Sequence, residues 1–379
     1  MSGFTALKKR VAVFTGSRAE YGLLRHLIKN INEDRRLELQ LIVSGSHLSK
    51  LYGKTIDEVE MDGFVPAAVV PLSLDCIPQP SMAILASEAL LGISHALQEL
   101  KPRTLIVLGD RYETFAAAAS AHLLGIPVTH IHGGESTFGA IDDRLRHAIT
   151  QLSTLHFTAA EPYRKRVIDM GQSPEFVFNV GPMVLDGISA SSAATRSSFE
   201  KKVGFRFGEK NLLVTFHSVT LLADNGLAEF DALLAALVST SCHVLFTHPN
   251  ADKGSCQLIH RMQKFVNQYS LRSWVFPSLG QENYLAALQL FEAVAGNSSS
   301  GIIEAPLVGI PVLNIGERQA GRHRHGFVLD VPGELDTIRS GLDEVLRLGQ
   351  RQNWPRPLPM IQASPAVRIV ESLCASVIV

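Results

Sequence analysis

The chain has 379 residues, of which 46% are hydrophobic and 19% charged, with a formal net charge of -1. That length suggests two domains of ordinary size, and the apolar share suits parallel sheets covered on both faces. The near-zero charge gives no global electrostatic reason to bind nucleic acid or an anionic membrane, and no apolar run approaches the length of a membrane span.

Met1 to Arg10 lacks the apolar core of a signal peptide. The four cysteines (Cys76, Cys242, Cys256, Cys374) are scattered without a CxxC pair, so they read as reduced thiols and the expected location is cytoplasmic. From there the chain alternates between apolar strands and helical stripes. Val11 to Thr15 reads as a buried strand ended by Gly16-Ser17, and Leu23, Leu24, Leu27, Ile28 and Ile31 give a helical stripe. Leu37 to Val43 is the next strand, and Met82 to Leu100 a long helix. Thr104 to Leu108 is a strand closed by Gly109-Asp110-Arg111, and Ala116 to Leu124 an Ala-rich packed helix. Ile126 to Ile131 runs into His132-Gly133-Gly134-Glu135, and Leu155 to Thr158 and Phe176 to Val180 complete the half.

The Ser/Ala-rich stretch 186–205 is weakly periodic and reads as a linker. Alternation then resumes with strands at Leu212–Phe216, His243–Thr247, Trp274–Phe276, Phe291–Ala295 and Ile310–Asn314, and helices between them. The expected architecture is α/β, with two Rossmann-like doubly wound domains facing a cleft, residues 1–185 and 206–362. Trp354 to Pro359 reads as a stiff connector to a last helix within 363–379, which could pack back on the first domain.

Several motifs are missing. No two glycines lie two apart, so the GxG of a dinucleotide fingerprint is absent. Gly53-Lys54-Thr55 resembles the end of a P-loop, but Leu48 stands where the first glycine belongs, and the stretch reads as a helix start. Gly296-Asn297-Ser298-Ser299-Ser300 lacks the final glycine of a nucleophile elbow. His130 and His132 have a metal-like spacing but are expected to point apart, to opposite faces at the strand end, and His323 and His325 flank an arginine, so no metal is expected.

Polar residues gather where strands end. Ser17-Arg18-Ala19-Glu20-Tyr21-Gly22 follows the first strand, Asp110-Arg111 the fourth, Glu135 the fifth, and Asp142-Asp143 opens the helix carrying Arg146 and His147. Asp142 with Arg146 and Asp143 with His147 are (i, i+4) pairs, a structural account that covers one helix. Carboxylates at successive strand ends suit an enzyme needing acid and base. The second half offers donors: His217, His248-Pro249-Asn250, then Gly316-Glu317-Arg318. The turn at Gly296 to Gly301 joins a buried strand to a helix start, where free N–H groups and small side chains suit a phosphate. Glu304, one turn in, could accept from sugar hydroxyls; the plainer reading is an N-capped helix.

In chain order, TGSRAEYG, LYGKTIDEVEMDGF, LGDRYE, HIHGGE, IDDRLRHAITQLS, FNVG, TFHSVT, HPNADKGS, GNSSSGIIEAP and NIGERQAGR resemble the hydrolysing UDP-N-acetylglucosamine 2-epimerases of sialic-acid-type sugar biosynthesis. The match runs from Val11 to about Arg322. It implies a GT-B-like fold and a homodimer, with a UDP-sugar as substrate and no cofactor or metal. It carries UDP contacts to Arg18, Arg111, His217, Asn250, Ser298, Ser299, Glu304 and Arg318, with Gly22 standing where some members have serine. The acids carry over to Asp110 and Asp142. Other members have glutamate where this chain has His132, which leaves His132 and Glu135 as two candidates for proton transfer at C2. Ser218 stands where proline is usual.

The resemblance implies release of UDP by elimination to a glycal, then hydration to free N-acetylmannosamine. Within the family, Gly139 to Asp143 resembles the branch acting on UDP-2,4-diacetamido-2,4,6-trideoxyglucose, of legionaminic-type biosynthesis. A non-hydrolysing 2-epimerase, a GT-B glycosyltransferase and a UDP-sugar-binding regulator without catalysis are the remaining alternatives.

Overall fold

The computed structural model describes residues 8–76, 80–137, 141–190, 194–322, 324, 327–349 and 364–375. The connector read at 354–359, His323 and His325, Gly139 and Ala140, and the last residues of the chain lie outside that set. Two compact units form: Met1–Glu135, Asp142–Gly187 and Ile361–Val379 in the first, Ser136–Ile141 and Ile188–Met360 in the second.

The first unit holds a parallel sheet of β1 (Lys9–Thr15), β2 (Leu37–Ser44), β3 (Ala68–Val70), β4 (Thr104–Leu108), β5 (Val128–Ile131), β6 (Leu155–Thr158) and β7 (Val177–Asn179), in the order β3-β2-β1-β4-β5-β6-β7. The apolar runs are continuous because both faces are covered. Val11 and Val13 pack with Leu24, Leu27 and Ile28 of the helix Arg18–Glu33. Ala12 and Phe14, on the opposite face, pack with Ala89 and Ile93 of the helix Met82–Leu100 and with Ala117 and Ala121. Side chains alternate across a strand, so one run of residues feeds both layers.

The second unit repeats the plan with β8 (Asn211–Thr215), β9 (His243–Thr247), β10 (Ser273–Phe276), β11 (Ala293–Gly296), β12 (Val312–Ile315) and β13 (Val328–Val331), ordered β10-β9-β8-β11-β12-β13 and parallel throughout. Strand order reverses between β1 and β4 in one sheet and between β8 and β11 in the other. Ligands of doubly wound sheets bind at such switch points, beyond the carboxyl ends of the strands. The loops after β1, β4, β8 and β11 carry Arg18, Asp110, His217 and Ser298. Both units are Rossmann-like, as expected.

The stretch 186–205 differs from a plain linker. It contains the end of the helix Val184–Ala190 and the helix Arg196–Val203, started by Thr195 in a reciprocal capping box with Ser198. Phe199 of that helix is buried against Phe205, Phe207 and Phe291, so ring packing outweighs the poor helix propensity of serine. The helix Pro365–Ala375 returns to the first unit. Ile369 and Leu373 join the core beside Leu24, and Asp186 accepts a bond from the Ala366 N–H at 3.0 Å. Among the described residues, no helix is long and apolar enough to cross a membrane, and no three His, Cys, Asp or Glu side chains group to hold a metal ion.

Candidate functional site

In the first unit the carboxyl ends of β4 and β5 meet the helix Asp142–Leu152 around one guanidinium. Arg146 is 1% exposed and binds three groups: the Asp110 carboxylate, the Glu135 carbonyl at 2.9 Å and Asp143 at 3.6 Å. The sequence pairs Arg146 with Asp142 on its own helix; in the structure Asp142 acts on it electrostatically together with Asp143 and, 36 residues back, Asp110. Asp143 also lies 3.8 Å from His147. Asp110, Asp142 and Asp143 keep partial exposure, whereas Glu135 is buried.

His130 anchors this loop from below. Its Nε2 meets the Gly109 carbonyl at 2.8 Å and its Nδ1 meets Thr150 at 3.2 Å, while burial pushes its pKa down to about 3, so the ring is neutral. His132 follows the end of β5 with a left-handed backbone, φ +64. Residues two apart share a face of a strand, so the expected opposite faces do not hold; the left-handed turn at His132, past the end of β5, gives the two histidines different partners.

Below the loops after β1 and β4 lies a buried carboxyl pair, Glu20 and Glu113, to which the sequence reading gave no site role. Glu20 accepts from the Gly16 N–H at 2.6 Å and from Thr114 at 3.0 Å, and Glu113 accepts from Arg111 at 2.7 Å. Burial, then the neighbouring Glu113, pushes the Glu20 carboxyl up to about 8. A Cβ on Gly16 would sit 2.5 Å from the Glu113 side chain, so this close approach needs glycine. Arg111 is buried with its guanidinium turned to Glu113, Arg18 opens its helix behind the N-cap Ser17, and Gly22 is buried in the same helix.

In the second unit the loops after β8 and β11 are stapled by Asn297. Its Oδ1 accepts from the His217 N–H at 2.7 Å and its Nδ2 donates to the His217 carbonyl at 2.8 Å. Gly296 precedes it at φ +136, and a Cβ there would lie 2.0 Å from the Thr215 carbonyl oxygen. Ser298 caps the helix Ser299–Val308, accepting from the Ser300 N–H at 3.3 Å. The Asn250 N–H donates to His217 Nδ1 at 3.0 Å, so the proton of neutral His217 sits on Nε2, facing Ser298 Oγ at 3.3 Å. Arg318 donates to the carbonyls of Ser218 and Asn297 at 3.3 and 3.2 Å, and Gln319 to Asn297 at 2.9 Å. Tyr284 meets Ser300 at 2.5 Å, and Glu304, one turn along, has its carboxyl pushed up by burial and lowered in part by Ser300.

This cluster joins a helix N-terminus to an imidazole N–H, a guanidinium and serine hydroxyls, a donor set matched to a phosphate or diphosphate. His217, Ser298, Ser299, Asn250 and Arg318 are thus brought together, with Glu304 beside them. Asn297, Tyr284 and Gln319 were not picked out from sequence, although Asn297 lies inside the Gly/Ser turn that was.

Against known proteins, the family described as UDP-N-acetylglucosamine 2-epimerase matches residues 29–373. A protein of Legionella pneumophila named UDP-N,N'-diacetylbacillosamine 2-epimerase (hydrolyzing) is 35% identical, with 89% of each chain covered. Polysialic acid biosynthesis protein P7 of Escherichia coli is also 35% identical, over 88% of this chain and 85% of that one. A crystal structure of the Neisseria meningitidis UDP-GlcNAc 2-epimerase bound to UDP-GlcNAc superposes with a TM-score of 0.75 at 16% identity, covering 97% of this chain and 100% of that one, a likeness of fold. With the family matched over nearly the whole chain and relatives at this identity, the protein belongs to the UDP-N-acetylglucosamine 2-epimerase family.

Proposed function

We propose that the chain is a hydrolysing UDP-sugar 2-epimerase that converts UDP-N-acetylglucosamine to N-acetylmannosamine and UDP. The observation that carries this reading is the donor set around Ser298, built for a diphosphate, in a chain whose other sheet gathers carboxylates at its own switch point. A base takes the proton from C2 of the sugar. The C2–H electron pair becomes the C1=C2 bond of a glycal, and the C1–O bond breaks with its electrons leaving on UDP. Water then adds its oxygen to C1 and a proton returns to C2 from the opposite face, giving the free 2-epimer.

Ser298, the His217 Nε2–H, Arg318 and the helix N–H groups stabilise the charge growing on the departing diphosphate, with no reorganisation needed during the step. Asp110 and Asp142, with Glu135 and His132, form the set that handles protons. Ser299, Asn250 and Glu304 of the second unit hold the nucleotide; for a nucleotide role of Arg18 and Arg111 the support is the family resemblance. Neither step calls for a redox cofactor. In solution the enzyme is a homodimer, for which the family resemblance is the support, and the four scattered cysteines, without a CxxC pair, support a cytoplasmic location.

A second reading takes UDP-2,4-diacetamido-2,4,6-trideoxyglucose as substrate, and the 35% identity to the Legionella protein supports it. Incubation with each UDP-sugar, followed by NMR of the products, separates the two. N-acetylmannosamine with UDP supports the first, and turnover of the diacetamido sugar alone the second. Retained UDP-N-acetylmannosamine would mean a non-hydrolysing epimerase, and no turnover of either substrate would sink the proposal.

A further inference from the structure

In the second sheet, β8 runs on past its main-chain partner. Gly296, the last residue of β11, pairs with Thr215, and the Asn297 N–H still donates to the Thr215 carbonyl at 3.3 Å. At Gly296 the chain turns away with φ +136, toward the helix Ser299–Val308. From there the Asn297 side chain continues the ladder in place of a strand. Its carboxamide accepts from the His217 N–H at 2.7 Å and donates to the His217 carbonyl at 2.8 Å. A carboxamide presents the acceptor and the donor that a peptide group would, whereas a carboxylate offers acceptors only. The Asn297 carbonyl meanwhile accepts from Arg318 Nη1 at 3.2 Å and from Gln319 Nε2 at 2.9 Å. One residue thus ties the loops after β8, β11 and β12, three neighbours in the sheet. Asn297 is 0% exposed, so it reaches a ligand only through the groups it holds.

We infer that Asn297 is a positioning residue of the diphosphate site: its carboxamide sets the His217 Nε2–H, and its carbonyl the Arg318 guanidinium, in place before a ligand arrives. Resting on the reading of the Ser298 turn given above, this names what pre-arranges its donors. His217 is gripped on both sides. Asn297 holds its main chain, and its ring accepts from the Asn250 N–H at 3.0 Å, which leaves the Nε2–H directed to Ser298 Oγ at 3.3 Å. Without the carboxamide the His217 peptide loses two bonds and the ring loses its base. A donor that has to be ordered during binding contributes less affinity than one already in place. Arg318 is held differently, by the main-chain carbonyls of Ser218 and Asn297, and any side chain at position 297 retains those. The carboxamide and the carbonyl of Asn297 therefore serve different donors, and substitution separates them.

The test is calorimetric titration with UDP of Asn297→Ala, alone and combined with His217→Ala or with Arg318→Ala. Alanine removes the carboxamide and keeps the carbonyl. UDP affinity is expected to fall by about tenfold or more in otherwise wild-type protein, and again beside Arg318→Ala. Beside His217→Ala, where no imidazole is left to misplace, Asn297→Ala should change it by about twofold at most. A factor that is the same in both backgrounds would mean general loosening of the unit and would overturn the inference, as would wild-type affinity in Asn297→Ala itself. Should Asn297→Ala fail to fold, NMR of wild-type protein labelled with 15N-histidine decides, through exchange of the His217 amide with deuterium oxide. Slow exchange is expected before UDP is added and no faster exchange after; an amide that exchanges freely until UDP binds overturns the pre-arrangement. Wild-type protein that does not bind UDP would instead overturn the reading on which this rests.

Discussion

Arg146→Met tests the centre of the first unit. The arginine is 1% exposed and is bound to Asp110, Asp143 and the Glu135 carbonyl. Methionine fills much of the volume but removes the charge, leaving two carboxylates together and one buried carbonyl without this donor. Removing one partner of a buried ion pair costs about 3–5 kcal/mol. Asp110 and Asp143 have side chains 22% and 16% exposed, so water recovers part of that, and about 3 kcal/mol is the expected loss. For a unit of this size, each kcal/mol moves Tm by roughly 2–4 °C, so the first unit should melt about 6–12 °C lower. The two units have separate cores, so one two-state transition is not assumed. Calorimetry supplies Tm, and hydrogen exchange assigns the change to β4 and the helix Asp142–Leu152 while β8 and β11 keep their protection. Turnover should fall by roughly 10²-fold or more, because Asp110 loses its orientation. A variant melting within a degree or two of wild type would refute the claim that this guanidinium holds the constellation together.

What could be read in advance follows from interaction range. Apolar runs and Gly/Ser stops are local, and they place most strands within a residue or two, including Thr104–Leu108, Leu155–Thr158 and His243–Thr247 without error. The loops rich in Asp, Arg, His and Ser fall at the switch points because chain order in a doubly wound fold nearly dictates them. β13 was missed since it is a half-buried edge strand with no continuous apolar run. Stretch 186–205 was taken for a linker because its helix propensity is poor, while the ring packing of Phe199 that overrides it involves Phe291, far along the chain. The site divides in the same way. Ser298 and Asp110 announce themselves by local context. The destination of Arg146, the Asn297 staple between two loops 80 residues apart, and the pairing of Glu20 with Thr114 across 94 residues depend on tertiary placement alone. The (i, i+4) spacing of Asp142 and Arg146 gives only part of the network, since Arg146 also binds Asp110 and the Glu135 carbonyl from other elements.

Ser298→Ala and Arg318→Ala should each weaken UDP binding by about 1.5–3 kcal/mol, the range for a lost donor to a charged group; calorimetric titration reads this, and unchanged affinity in both would remove the phosphate from this turn. Gly296→Ala drives a Cβ to 2.0 Å from the Thr215 carbonyl at a φ that disfavours side chains, so a loss of about 3 kcal/mol or more is expected, and a variant with wild-type Tm would contradict it. The last prediction is a stability optimum for the first unit at about pH 7, from two opposed titrations. Burial lowers His47, His130 and His156 to about 4, 3 and 4. Below pH 6.5 the unfolded chain takes up protons that the fold refuses, so stability falls with falling pH, by about 2 kcal/mol per histidine at pH 5. Glu20 runs the other way. Its folded pKa is raised to about 8, so between pH 4.5 and 8 the fold keeps a proton the unfolded chain has lost, and stability declines as pH rises. Below about pH 7 the three histidines outweigh the one carboxyl; above it Glu20 contributes the larger slope. Glu20→Gln carries the neutral form permanently, with an amide that can donate to Thr114 while its oxygen accepts from the Gly16 N–H. Melting curves of the variant should keep the acid-side loss and show no decline between about pH 7 and 8. A wild-type profile level between pH 4.5 and 6.5, or a decline above about pH 7 that survives in Glu20→Gln, would show that these groups do not set the pH response.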